Sequence, residues 1–370
     1  MILSPEDVLY AVGKIHEAYG GISRIDDYFR MKKVERLKEI PPTLFGFSHE
    51  DELFQDFSVH PEDMNFRIVQ PENSTFNTLL ELVASFTYED APGKQMKLMI
   101  QETTTGKVVG FIKLGSPIIN SKPRNQWLGS VPDLTIFNKR AIMGFIIVPT
   151  QPFGFNYLGG KLLSLICSSH EVREMLNNKY DTEMCLFETT SLYGNIKGTS
   201  QYDGLKPYIR YRGDTESKFL LTLPDFIYHD LHKWFIQKND GEQLIRKGAS
   251  SRKLKIQTKM ISIIKNSLKE HHPVKYTEFV EFIKTRQDVT TQKRFYMSTY
   301  GFENSREVIL GNTDTLVKAE NYDRFSFDSI VSWWRKKASK RYENLKEDGR
   351  LRSKLETWDI NDMDSIDIIR

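Results

Sequence analysis

The chain has 370 residues, 39% of them hydrophobic and 27% charged, with a net charge of +3. This composition excludes an intrinsically disordered protein and leaves room for two or three domains with a sizeable core. No run approaches the roughly 18 apolar residues of a bilayer span, and the start, MILSPEDVLYAV, lacks the basic region of a secretory signal.

Cys167 and Cys185 lie in apolar surroundings and read as reduced core thiols of a cytoplasmic protein with no membrane partner. Neither they nor the histidines have zinc spacing, and no metal is expected. Charge is unevenly spread. From Arg246 to Lys354 there are 25 Lys and Arg against 13 Asp and Glu, which is +12 and leaves −9 for the rest of the chain. Such a split suits a recognition or catalytic body with a basic appendage for phosphate backbones.

In chain order, residues 1–72 form a helical N-terminal region. Ser4 caps a helix beginning at Pro5, and RIDDYFRMKKVERLKEI is a mixed-charge helix ending at Pro41-Pro42. His49–Glu52 with His60 and Glu62 reads as a solvated acidic loop. NSTFNTLLELVASFTYED follows, a capped helix running into a loop. Then Gln95–Glu102 and Lys107–Gly115 flank Thr103–Gly106, which predicts an antiparallel hairpin. The short β-branched run Ile142–Pro149 predicts a buried central strand, and a glycine-rich loop, Thr150–Gly160, follows it. A helix over Lys161–Tyr180 and a strand over Met184–Thr190 complete a βαβ-like unit. Its natural binding site is the helix N-terminus, where free N–H groups and the helix dipole attract anions. Leu205–Asp214 and Lys218–Pro224 are predicted to extend the sheet, and helix Asp225–Gln237 closes a domain spanning 73–238. Residues 239–253 read as a linker and 254–358 as a basic domain of two or three helices. In its last helix Ile330, Trp333, Trp334, Ala338 and Leu345 make an apolar stripe. Arg335, Lys336, Lys337, Lys340 and Arg341 lie largely on the other faces. An acidic tail, 359–370, ends the chain. The class is α+β.

The strand–loop–helix unit with its preceding hairpin resembles the GNAT superfamily of N-acyltransferases, in which a loop of form Gln/Arg-x-x-Gly-x-Gly/Ala binds the pyrophosphate of acetyl-CoA. Here that loop reads Gln151-Pro152-Phe153-Gly154-Phe155-Asn156, with Gly159-Gly160 after it; Asn156 stands where a small residue is expected. A closer resemblance, over Ser85–Asp214, is to the GNAT-like group of phage Mom DNA-modification proteins and Druantia anti-phage system A proteins. It is carried by G-K-Q-M-K-L-M-I (93–100), G-F-I-K-L-G-S (110–116), R-N-Q-W-L-G (124–129), F-N-K-R and F-I-I-V-P (137–149), L-F-E-T-T (186–190) and K-G-T-S-Q-Y (197–202). Thr87-Tyr88 stands where that group often has His-Tyr.

The resemblance implies a GNAT-like mixed sheet with flanking helices and transfer of an acyl- or carbamoyl-type group to an amine of a DNA base. Acetyl-CoA or a related acyl-CoA would be held by Gln151, Gly154, Asn156, Gly159 and Gly160. For the chemistry, Glu188 is a candidate base, or a carboxylate bonded to Arg140 or backbone. Tyr202 or Tyr88 is a candidate acid toward a leaving thiolate, and Ser191 a substrate contact. Arg124 either meets a phosphate or pairs with Asp133. Tyr157, Tyr208 and Tyr211 with Arg210 and Arg212 are candidates for a groove receiving an extruded base. The basic helix, Arg335 to Arg341, would hold DNA. Two other readings stand beside this one: a non-catalytic DNA-binding defence or counter-defence protein, and a GNAT acting on protein or small-molecule amines.

Overall fold

The computed structural model describes residues 1–40, 48–87, 93–192, 194–218, 221–245, 253–289, 292–364 and 366. Contacts divide the chain into two compact units, and the division cuts across the linear order. Unit 1 comprises Met1–Lys38 with Lys218–Thr291; unit 2 comprises Glu39–Ser217 with Gln292–Arg370. The segment read as one basic domain, 254–358, is therefore shared between the two. Unit 1 carries 21 Lys and Arg against 14 Asp and Glu, or +7, which leaves 31 against 35, or −4, for unit 2.

Unit 1 is helical: α1 (Pro5–Tyr19), α2 (Ile25–Leu37), α10 (Asp225–Lys238), α11 (Lys253–His271) and α12 (Pro273–Gln287). The Ser4 hydroxyl accepts the Asp7 N–H, capping α1 ahead of Pro5 as the sequence predicts. The Gln257 side chain of α11 bonds Tyr19 Oη, the Leu221 carbonyl and the Leu223 N–H, knitting α1 and the segment before α10 to α11. The helix read as running to Pro41-Pro42 ends at Leu37.

Unit 2 is built on a seven-stranded sheet of order β1-β2-β3-β4-β5-β7-β6. Its strands are β1 (Phe66–Val69), β2 (Gln95–Glu102), β3 (Val108–Gly115), β4 (Ala141–Pro149), β5 (Leu186–Ser191), β6 (Arg210–Lys218) and β7 (Gln292–Ser298). The β2–β3 hairpin is the predicted one, with Met96 opposite Leu114 and Leu98 opposite Ile112. Its turn is held by the Glu102 carboxylate, which accepts the N–H groups of Thr104 and Thr105. Gly106 has a φ of +71°, a value that favours glycine. β4 and β5 run parallel, as the βαβ reading requires, and the described β1–β5 and β5–β7 pairings otherwise are antiparallel.

The helices of unit 2 are α3 (Asn73–Val83), α4 (Lys122–Leu128), α5 (Leu134–Arg140), α6 (Phe153–Tyr157), α7 (Gly159–Cys167), α8 (His170–Tyr180), α9 (Gly194–Lys197), α13 (Ser305–Ile309) and α14 (Phe327–Glu347). α3 covers one sheet face through Phe76, Leu79 and Val83 against Met99, Phe111 and Ile146. α7 lies on the other, so close that a Cβ at Gly110 would overlap Leu163. α14, capped by Ser326, seals this side: Trp334 is fully buried and donates its indole N–H to the Tyr157 carbonyl at 2.8 Å.

Several predicted elements change. The helix over Lys161–Tyr180 is two helices, because Ser168 leaves the helical path and Ser169 caps α8 anew. The loop before it contains α6. The strand predicted over Leu205–Asp214 begins only at Arg210, after a run of turns, and reaches Lys218. Residues 221–224 form no strand, and 219–220 lie outside the described residues. β1 and β7 went unpredicted; β7 lies in the segment read as helical. Cys167 and Cys185 are both buried free thiols. Among the described residues no helix is long and apolar enough to cross a membrane.

Trp334→Ala should destabilise the chain by about 3–5 kcal/mol, since it opens a cavity and orphans the Tyr157 carbonyl. Urea unfolding of the two proteins checks this.

Candidate functional site

β4 and β5 pair only from Ala141/Leu186 to Gly144/Thr189. Beyond that point β4 continues to Pro149 against β3, while β5 follows β7 to Ser191. Two parallel strands that part in this way leave unpaired backbone groups, which must find partners. Here the chain supplies them itself. Thr189 donates its hydroxyl to the Gly144 carbonyl at 2.9 Å, and Gln201 donates its side-chain amide to the Ile147 carbonyl at 3.1 Å. The other side of Gln201 packs on Gly160, where a Cβ would overlap its amide. Gln201 thus closes the wedge between β4 and the start of α7.

Beside the wedge lies a polar cluster on β5, β7 and the 198–204 turn. The Asp203 carboxylate accepts from Tyr296 Oη at 2.8 Å, Arg294 Nη1 at 2.9 Å and the Ser200 N–H at 2.9 Å. Cross-strand pairing sets Tyr296 opposite Thr189 and Arg294 opposite Ser191, on one face of the sheet. Tyr202 packs at 5.1 Å from the Tyr296 ring, and its hydroxyl lies 3.4 Å from that of Thr189. Burial pushes the Tyr202 phenol up to about 12, so it keeps its proton. Tyr211 continues the cluster outward: it is 43% exposed, 5.6 Å from Tyr296, with the Arg294 guanidinium 4.7 Å from its ring.

Glu188 does not join this cluster. Neighbouring strand residues point to opposite faces, so Thr189 and Glu188 are back to back. Glu188 is fully buried and binds Arg124 of α4, with Nη1 3.1 and 3.3 Å from its two oxygens. Arg124 is equally buried. It donates to the carbonyls of Ile118 and Ile119, and its guanidinium sits 4.3 Å from the Phe137 ring. Burial raises the Glu188 carboxyl to about 7 against the pull of Arg124. Neither expected alternative partner is used. Arg140 pairs with Glu183 and Asp314, and Asp133 caps α5 through the N–H groups of Thr135 and Ile136. Arg124 is thereby withdrawn from any phosphate. Tyr88 lies outside the described residues, and Ser191 is half-buried.

The side chains assigned to a thioester pyrophosphate are engaged within the chain itself. Asn156 is fully buried, and its side-chain amide makes a two-point clamp on the backbone of Arg352: Nδ2 to the carbonyl at 2.7 Å, the N–H to Oδ1 at 3.1 Å. The Gln151 side chain accepts the Phe155 N–H, its carbonyl accepts the Glu356 N–H, and its amide abuts Gly154. A Cβ at Gly159 would overlap the Phe153 ring. The segment around Arg352–Glu356 therefore straps the loop, with the guanidinium groups of Arg341 and Arg352 4.9 and 4.1 Å from the Phe155 ring.

The basic residues fall into two groups. Arg335 is spent on the Met64 carbonyl and the Asn65 side chain, and Arg341 on Phe155. Lys336, Lys337 and Lys340 are exposed and have no carboxylate partner among the described residues. Lys337 lies 5.9 Å from the Trp333 ring, and Trp333 meets Tyr208 edge-on at 6.0 Å, two residues before the exposed Arg210 on edge strand β6. Arg212, also exposed, lies 6.0 Å from Trp127. Of the groove tyrosines, Tyr157 and Tyr208 are buried and only Tyr211 is presented.

Sequence reading missed Gln201 as a wedge, the Asp203–Arg294–Tyr296 triad and the strap. Arg294 and Tyr296 had a signal, the short aromatic run KRFYMS, whereas the strap had none, because polar side chains bonding backbone leave no periodicity.

A family model described as Druantia protein DruA matches residues 46–202, under half of the chain. That span covers the hairpin, β4, the strapped loop, β5 and the Gln201 turn. Neither the curated proteins nor the solved structures gave a match.

Glu188→Gln keeps the shape of the side chain but removes its titration. With a folded value near 7 and an ordinary value of 4.5, the native state binds the extra proton between those limits. The carboxyl's contribution is complete below 4.5 and is lost as pH rises through 7. The stability of the parent relative to Glu188→Gln should therefore fall between about pH 4.5 and about pH 7 and level off above that. A difference that does not change with pH, by urea denaturation, contradicts this.

Proposed function

We propose that this chain is a nucleic-acid-recognising component of an anti-phage defence system, built on an acyltransferase-like frame that works without a bound thioester. The match of residues 46–202 to a Druantia protein supports the defence setting. The observation that carries the binding role is the exposed cationic row Lys336, Lys337 and Lys340, with Lys337 near Trp333 and Trp333 against Tyr208, two residues before the exposed Arg210 of the strand that also carries Arg212. Lys336 and Lys340 stand four apart on one helix, where like charges destabilise it. A phosphate backbone relieves that repulsion and gains from counterion release. Tyr211, half-exposed and backed by Arg294, offers a face on which a base stacks. The closed wedge and the strapped loop favour recognition over acyl transfer.

A second reading keeps group transfer to a DNA base. It is favoured by one observation: Ser191, Tyr202, Asp203, Arg294 and Tyr296 gather where two parallel strands part. In that reading the Gln201 turn leaves the wedge when donor and DNA bind, and Tyr202 supplies a proton to the leaving group.

Replacing Lys336, Lys337 and Lys340 together by Ala should weaken DNA binding by about tenfold or more at moderate salt. It should also reduce the slope of log affinity against log salt by roughly 2 to 3 on duplex DNA. Fluorescence anisotropy across a salt series measures both, and an unchanged slope contradicts the phosphate role. Tyr211→Ala should cost about 1–3 kcal/mol on single-stranded DNA and little on duplex.

A further inference from the structure

Unit 1 holds a cleft of about 550 Å³ between α11 and α12, bordered also by Tyr19 and Leu221. Its volume is that of sites for drug-sized and nucleotide-sized molecules. Leu254, Thr258, Ile261 and Lys265 of α11 all line it. Their spacing of four, three and four residues puts one helix face along the opening. α12 contributes Tyr276, Ile283 and Arg286 from the facing side.

Three properties of this lining point to one ligand chemistry. It contains no Asp or Glu, although Lys265 and Arg286 stand on opposite walls. Two cations facing a common space repel one another unless an anion lies between them. Arg286 donates through Nη1 to the Ile22 carbonyl and through Nη2, at 3.5 Å, to the Gly20 carbonyl, and its guanidinium lies 5.1 Å from the Phe282 ring; Lys265 has no carboxylate partner among the described residues. A guanidinium has five N–H donors, so the second N–H on each of Nη1 and Nη2 is left over, and with the Lys265 ammonium these are suited to phosphate oxygens. Leu254, Ile261, Ile283 and Tyr276 supply the apolar and aromatic surface that a ring requires, and Thr258 a neutral polar group beside it. The unit's charge of +7 draws anions toward it.

We propose that this cleft is a binding site for a nucleotide-sized organic phosphate, with Lys265 and Arg286 holding the anionic groups and the Leu254–Ile261–Ile283 surface receiving the ring. The site belongs wholly to unit 1 and is independent of the basic row on α14.

The test uses the full chain and a set of named probes: the adenine, guanine, cytosine and uracil ribonucleoside mono-, di- and triphosphates and their 3′,5′-cyclic monophosphates, with inorganic phosphate alone beside them. Equilibrium dialysis reads affinity and thermal unfolding reads protection. At least one nucleotide should bind saturably at one site per chain and more tightly than inorganic phosphate. Arg286→Gln and Lys265→Gln should each weaken it by about tenfold, as loss of a charge-assisted bond does. Ile261→Trp, which fills the opening, should abolish binding, and the Lys336 variants should leave it unchanged. Lys265 is only half-buried, so its replacement keeps the fold and the comparison holds even if Arg286→Gln unfolds. Absence of binding by every nucleotide in the set overturns the proposal. So does binding that Lys265→Gln and Ile261→Trp leave intact.

Discussion

The parting of β4 from β5 after Gly144 and Thr189 is the constraint around which unit 2 is arranged. Parallel strands buried on both faces have no water to satisfy their backbone once they diverge. Each feature next to the divergence answers that need. Thr189 bonds the last paired carbonyl, Gln201 bonds one further along β4, and α7 closes on β3 at Gly110. Gln201 is held in turn by the loop whose Asp203 anchors Arg294 and Tyr296 of β7. A strand from the far end of the chain thus completes the sheet beside the wedge, which is why the C-terminal region does not stand apart as an appendage.

The two candidate chemistries are kept apart by the sheet itself. On one face, Arg124 and Glu188 form a buried pair whose carboxyl is raised to about 7. Such a pair adds little net stability, because desolvation offsets attraction, yet losing either partner leaves a charge stranded. Its place is structural: it ties α4 and the Ile118–Ile119 turn to β5. On the other face, Tyr202, Asp203, Arg294 and Tyr296 share a hydrogen-bonded cluster that opens outward at Tyr211. Recognition of nucleic acid needs only the outward end of this cluster and the cations near it. Transfer chemistry would need the wedge as well, and Gln201 stands in it.

Much of the frame was legible in the residues. The hairpin followed from two apolar strands around Thr103–Gly106, and the parallel unit from a β-branched run, a glycine-rich loop and a second apolar strand. The α14 stripe placed Trp334 in the core. What escaped was long-range. β1 has four residues, too short for a period to register. β7 lay among helices, so its neighbours argued against it. Glu188 was singled out because it is polar in an apolar strand, but its partner lies 64 positions away and no local rule selects Arg124 over Arg140. Asn156 and Gln151 sat in a loop that looked open in sequence, and only the Arg352–Glu356 segment shows what their amides hold. Arg335 and Arg341 read like their lysine neighbours, although arginine's planar fork makes it the residue that bonds backbone carbonyls here.

The most direct test is nucleoside mass spectrometry of DNA from cells that express the chain, beside cells expressing Glu188→Gln. A recognition protein without thioester chemistry leaves every nucleoside at its ordinary mass in both. A new nucleoside mass made by the parent chain would contradict the account and establish transfer to a base. Its loss in Glu188→Gln would show that the chemistry depends on the buried pair.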